Sequence, residues 1–90
     1  GRSKTIAGPA TNALVARNDT PNRVLFVTVT CVQVGSAAFS KTPGGSAVGA
    51  RFDNNAALSL PNSVSFILYP SEELYVTTAI TALSIFESRF

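Results

Sequence analysis

Turn-forming clusters recur so closely along this chain that no element between them can be long. Asn18-Asp19-Thr20-Pro21-Asn22, Gly35-Ser36, Pro43-Gly44-Gly45, Asn54-Asn55, Pro61-Asn62 and Pro70-Ser71-Glu72-Glu73 all fall within 90 residues. Asn and Asp turn a chain by bonding their own backbone, Pro presets φ, and Gly admits positive φ. Parallel strands need crossovers of roughly a dozen residues or more. The spacing here leaves room only for short strands that fold back on one another.

The runs between the turns read as strands. Arg23–Val34 (RVLFVTVTCVQV) is the clearest, with Leu25, Val27, Val29 and Cys31 on its better core face. Its other face is apolar at the ends and Thr-rich between, as in a central or covered strand. Ser63–Tyr69 alternates, with Val64, Phe66 and Leu68 inward. Leu74–Thr78 presents Leu74 and Val76 to one face, and Thr81–Glu87 presents Leu83 and Ile85. These last two read as a hairpin over Ala79-Ile80. Thr11–Arg17, Ala50–Asp53 with Phe52, and Ala57–Leu60 with Leu58 and Leu60 supply further short strands. Ala37–Ser40 reads as a continuation of the central strand, and Lys41–Gly49 as a flexible loop. No fifteen-residue window carries a helical apolar stripe. Val, Thr, Ser, Ala and Phe dominate, which suits a pleated and half-buried surface.

The fold class expected is all-β: a single antiparallel β-sandwich, jelly-roll-like or Ig-like, of about seven to eight short strands. Residues 1–10 read as an N-terminal arm with a short strand at Lys4–Ala7, and residues 11–90 as the sandwich. The expected core is Leu25, Val27, Val29, Cys31, Phe52, Leu58, Leu60, Val64, Phe66, Leu68, Leu74, Val76, Leu83 and Ile85.

Small chains bury little surface, and many rely on disulfides, metals or partner chains. With one Cys and no His, neither an internal disulfide nor a His/Cys metal site can form. The absence of His also removes Ser–His and Cys–His catalysis. Good packing or other copies of the chain are left as the source of added stability, with oligomerisation the favoured reading. Only 13% of residues are charged, with a net charge of +2. A surface so poor in charge suits being covered. The basic residues are scattered, although Arg2, Lys4, Arg17 and Arg23 weight the first quarter, so nucleic acid is not expected as a partner. No apolar run reaches the roughly 18–20 residues of a membrane span. Residues 1–13 lack a signal-peptide pattern, and Gly1 without Met suggests a processed or trimmed start.

The second half of the chain carries a recognisable pattern. Leu58-Ser-Leu-Pro-Asn-Ser-Val-Ser-Phe is followed by Tyr69-Pro-Ser-Glu-Glu-Leu-Tyr-Val and then by Thr81-Ala-Leu-Ser-Ile-Phe-Glu-Ser. Upstream stand Asn22-Arg-Val-Leu-Phe-Val-Thr-Val and Gly35-Ser-Ala-Ala-Phe. Across roughly residues 22–88 this resembles small structural proteins of tailed-bacteriophage virions, with Asn62 and Ser71-Glu72 where their turns prefer Gly. The resemblance implies a compact β-sandwich that decorates or cements a capsid or builds a head fibre, located on the virion. It implies no active site and no cofactor. A homo-oligomer is expected, a trimer first, with the major capsid protein or another virion protein as partner.

Several side chains are candidates for chemistry. Asp19, Asp53, Glu72, Glu73 and Glu87 are the only carboxylates. A glycosidase needs two of them around a cleft, and Asp53 with one Glu is the pair considered. The plainer reading is five solvated charges, and the chain is read as a non-enzyme. Cys31 reads as a small buried hydrophobe, with an intermolecular disulfide as the alternative. Arg2, Lys4, Thr5 and Ile6 are candidate partner contacts, because an arm strand can add to another subunit's sheet edge. Phe90 is a further candidate, docking in a groove of its own domain or of a neighbour. A glycan-binding module of a fibre or spike is the alternative function, with Tyr69 and Tyr75 as contacts in a platform that includes Phe39, Phe86 and Phe90. A small coat or tail subunit is a variant of the structural reading.

Overall fold

The described residues form eight strands: Arg2–Ala7 (β1), Leu14–Arg17 (β2), Leu25–Cys31 (β3), Gly35–Ser40 (β4), Ala47–Asn54 (β5), Asn62–Leu68 (β6), Glu73–Val76 (β7) and Ala82–Arg89 (β8). The computed structural model describes residues 2–31, 35–54, 62–80 and 82–89, with the backbone alone at 31, 35–36, 50–54, 62 and 89. The expected strand Ala57–Leu60, the side chains of Cys31 and Phe52, and Phe90 lie outside what is described.

The strands form two four-stranded sheets, ordered β1-β8-β3-β6 and β2-β7-β4-β5. Every pair is antiparallel: β1 with β8, β2 with β7, β3 with β6, and β4 with β5. Two further pairings, β3 with β8 and β4 with β7, weld these couples into sheets. Strand n thus pairs with strand 9 − n, the pattern of one long hairpin rolled up. This is a jelly roll, which decides between the two sandwich types expected. The Cα radius of gyration, 12.4 Å, matches the ~12 Å of a compact domain of this length.

Alternation places the core between the sheets. Leu25, Val27 and Val29 of β3, Val64, Phe66 and Leu68 of β6, and Leu83 and Ile85 of β8 face inward from one side. Leu74 and Val76 of β7 face them from the other. These are the residues the alternation singled out. Four residues of the hydrophobic core lie outside the expected set: Val15, Ala16, Ala37 and Phe39. Val15 and Ala16 are adjacent yet both buried, because a register shift between Leu14 and Ala16 breaks the alternation of β2. Phe39, a member of the aromatic platform of the alternative glycan-binding reading, is fully buried and meets Phe66 edge-on with ring centroids 5.2 Å apart.

Two connections also differ from expectation. Gly35–Ser40 does not extend the central strand but enters the second sheet as β4. The run 74–87 is not a hairpin, because β7 and β8 lie in different sheets. Each such crossover exchanges a local pairing for a partner far along the chain, which no local signal records.

The two sides of the sandwich differ. At the β5/β6 side the sheets close on each other. Gly49, at φ 64°, lies in β5 so near β6 that a Cβ there would sit 2.9 Å from Phe66 Cε1. At that point residues 49–51 bulge opposite Ala38. At the β1/β2 side the sheets part and leave a cleft.

Asn18, from the first turn cluster, is fully buried. Its Nδ2 donates to the carbonyls of Arg23 (2.8 Å) and Leu68 (2.9 Å), and its Oδ1 accepts from the Thr20 amide (3.0 Å). Its backbone N–H donates to Glu72 O and its carbonyl accepts from Ser71 N–H. One side chain thereby ties the β2–β3 turn to the corner after β6. No buried side-chain polar atom lacks a partner among the described residues.

Candidate functional site

Register fixes the outer face of the first sheet row by row. Thr5, Ser84, Thr30 and Ser63 lie side by side, then Ser3, Phe86, Thr28 and Ser65, then Ser88, Phe26 and Ile67. Ala7 and Ala82 extend the face at one end. Not one of these thirteen side chains carries a charge. Thr28 and Ser65 hydroxyls lie 3.2 Å apart and those of Thr30 and Ser63 2.9 Å apart, so cross-strand pairs satisfy them within the plane. Phe86 and Ile67 are each 49% exposed. The result is a flat, hydroxyl-rich surface with two apolar side chains standing from it.

Charges gather elsewhere. On the second sheet, Arg17 Nε lies 3.1 Å from Asp19 and 3.4 Å from Glu73. Tyr75 Oη donates to Glu73 Oε1 at 2.8 Å, and this bond to a carboxylate raises the phenol above its ordinary 10.0. At the corner after β6, Glu72 Oε1 accepts from the Tyr69 amide (2.7 Å) and from Lys41 Nζ (3.0 Å). The Tyr69 amide first, and then Lys41, hold the Glu72 carboxyl below its ordinary 4.5.

A group so lowered stabilises the fold fully above 4.5, and the contribution fades as pH falls through its lower folded value. The Glu72 side chain is 37% exposed, so after solvent screening the contribution is under about 1 kcal/mol. The stability advantage of the native protein over Glu72→Gln is expected to be constant near neutrality and to shrink below pH 4.5. Urea denaturation of both proteins from pH 7 to pH 3 checks this. A pH-independent difference would assign Glu72 a purely steric role.

The cleft at the β1/β2 side measures about 220 Å³ and is lined by Arg2 and Lys4 of β1, Leu14 to Arg17 of β2, Asp19 and Glu87. Arg2 and Lys4 take the inward positions of the edge strand, in line with Ile6, which packs against the core. Inward charge at an edge also discourages unwanted strand pairing.

The expected site residues are therefore dispersed. Arg2, Lys4, Thr5 and Ile6 belong to a strand of the chain's own sheet, paired along its length with β8. The arm is thus an integral edge strand with its second edge open. Tyr69 is 59% exposed in the turn after β6, whereas Tyr75 lies on β7 and is tied to Glu73. The two rings make no contact with each other. Asp19 and Glu87 share the cleft, while the side chain of Asp53 lies outside the described residues. No group of three or more metal-ligating side chains occurs among the described residues. The charge-free face was missed as a site, although the outward residues of three alternating runs spell it out. Comparison with protein-family models, curated proteins and solved structures returns no match.

Proposed function

We propose that the protein is a structural component of a bacteriophage virion, a capsid decoration or cement protein that stabilises the head shell through oligomeric contacts. The observation that carries this reading is the charge-free outer face of the first sheet. Desolvating charge opposes association, and the buried centres of interfaces are depleted of it. A face of Ser, Thr, Phe and Ile can be covered at little electrostatic cost. The jelly roll recurs in viral shell proteins and in lectins, so the fold alone assigns neither role.

Size sets the mode of action. Four strands ~4.8 Å apart and about seven residues long at ~3.3 Å each make a face of roughly 19 by 23 Å. That is well under the ~800 Å² per partner of a stable interface. A single face therefore grips weakly, and a homotrimer seated on neighbouring capsid subunits gains by holding several at once. The work is mechanical: no proton or bond is transferred.

Thr28 sits at the centre of the face, beside Phe86 and Ser65. Thr28→Lys is expected to abolish shell binding while leaving self-association unchanged and fold stability within about 0.5 kcal/mol. Light scattering across a concentration series and co-sedimentation with shells lacking the protein measure both. If Thr28→Lys binds shells as the native chain does, this face is not the interface. If the native chain stays monomeric and does not bind shells, the cement reading fails.

A further inference from the structure

We infer that the cleft between β1 and β2 is a binding site for a small acidic sugar, one that offers a carboxylate together with neighbouring hydroxyls. The inference stands independently of the shell role, because none of the cleft-lining residues is among the thirteen of the charge-free face.

The cleft is where the sandwich fails to close. On β1, Ile6 reaches the core, and Lys4 and Arg2 continue the same inward line toward the strand's exposed end. They face the β2 segment from Leu14 to Arg17 across the opening. Neither Arg2 nor Lys4 forms an ion pair among the described residues. Two cations with no ion pair among the described residues thus line one wall of a concavity. Arg17 stands in the opposite wall, with Asp19 and Glu73 both contacting its Nε.

Composition decides the ligand class. Asp19 and Glu73 already engage Arg17, which leaves Arg2 and Lys4 against Glu87 at the β1 wall, a local surplus of one positive charge. That balance suits a singly charged ligand. Phosphate and sulfate present acceptors almost exclusively and would face Glu87, opposite Arg2 in the β1–β8 register. A uronate satisfies both sets of groups. Its carboxylate accepts from Arg2 and Lys4, and its hydroxyls donate to Glu87. Charge-assisted bonds of both kinds are the strong ones. Leu14, 46% exposed at the rim, offers an apolar patch for the ring. The volume, about 220 Å³, is below the ~300–1,000 Å³ of sites for drug-sized ligands and suits one sugar unit.

The test is a titration of the ¹⁵N-labelled protein with sodium glucuronate, with glucose and inorganic phosphate in parallel at matched ionic strength. Glucuronate is expected to shift amides of residues 2–4, 14–19 and 87 with saturation in the millimolar range, and added salt to weaken it. Arg2→Gln with Lys4→Gln should weaken binding about tenfold or more, the loss of at least one charge-assisted contact. Lys4→Gln alone serves as the milder variant, and retained spectral dispersion shows that the fold is intact. Phosphate binding as well as glucuronate overturns the sugar assignment. Glucose binding equally well overturns the role of the cations. No localised shift at saturating glucuronate overturns the site.

Discussion

Asn18→Leu is expected to destabilise the protein by about 3 kcal/mol or more, the larger of two expected stability losses relative to the size of the change made. Leu is close in volume to Asn but can neither donate nor accept. The substitution removes three hydrogen bonds of the Asn18 side chain, to the carbonyls of Arg23 and Leu68 and from the amide of Thr20. A typical hydrogen bond contributes about 0.5–1.5 kcal/mol, and loss of the buried one to Leu68 carries a larger cost, about 1–3 kcal/mol. Asn18→Asp keeps the bond to the Thr20 amide but points a carboxylate at two carbonyl oxygens, so it is expected to be no better at neutral pH. Urea denaturation of both variants checks the claim. A loss below about 0.5 kcal/mol, the range of ordinary surface changes, would mean that the corner holds without this side chain.

Phe39→Ala is expected to cost about 3–5 kcal/mol, the range for removing a buried aromatic. A domain of this size has a total stability on the order of 5–13 kcal/mol, so the variant is expected to lose a large share of it and to melt well below the native protein. The loss combines the transfer of a fully buried ring with the edge-on contact to Phe66 at 5.2 Å. Phe39→Leu fills most of the space and is expected to cost about 1–2 kcal/mol. Thermal and urea melts of the pair separate a packing role from a surface one. A ring serving as an exposed platform would leave both melts unchanged.

These residues also show where sequence reasoning reached and where it stopped. β6 and the central part of β3 were legible because strict alternation separates a buried from an exposed face, and nothing in the structure disturbs it. Phe39 was illegible because its strand, Gly-Ser-Ala-Ala-Phe-Ser, surrounds one large residue with small ones and shows little contrast. Val15 and Ala16 were lost to a register shift, which local periodicity cannot reveal. Asn18 reads as a turn residue, and it is one: the bond from the Thr20 amide to its Oδ1 makes an Asx turn. Its burial depends on Leu68, fifty residues away.

The candidate surfaces divide in the same manner. The charge-free face was available in the outward residues of three strands, and needed only their adjacency. The cleft was not available, because it exists where two edge strands of different sheets fail to meet. The arm was read as in need of a neighbour, since six mostly polar residues offer little to pack. In the structure a backbone ladder with β8 holds it, and a ladder requires no particular side chains.

The nested pairing of strands has a kinetic consequence. Ser40 and Ala47 come together across a handful of residues, whereas Ala7 and Ala82 must meet across nearly the whole chain. Closing a loop roughly ten times longer costs only about 2 kcal/mol more in chain entropy. If the inner couples form first, however, even that cost is largely avoided. With β4 against β5 and β3 against β6, the ends of β2 and β7 are already near, and after them those of β1 and β8. The order of assembly follows from geometry, from the middle of the chain outward. A topology rich in distant contacts belongs among the slow folders, but nesting turns one long search into a series of short ones.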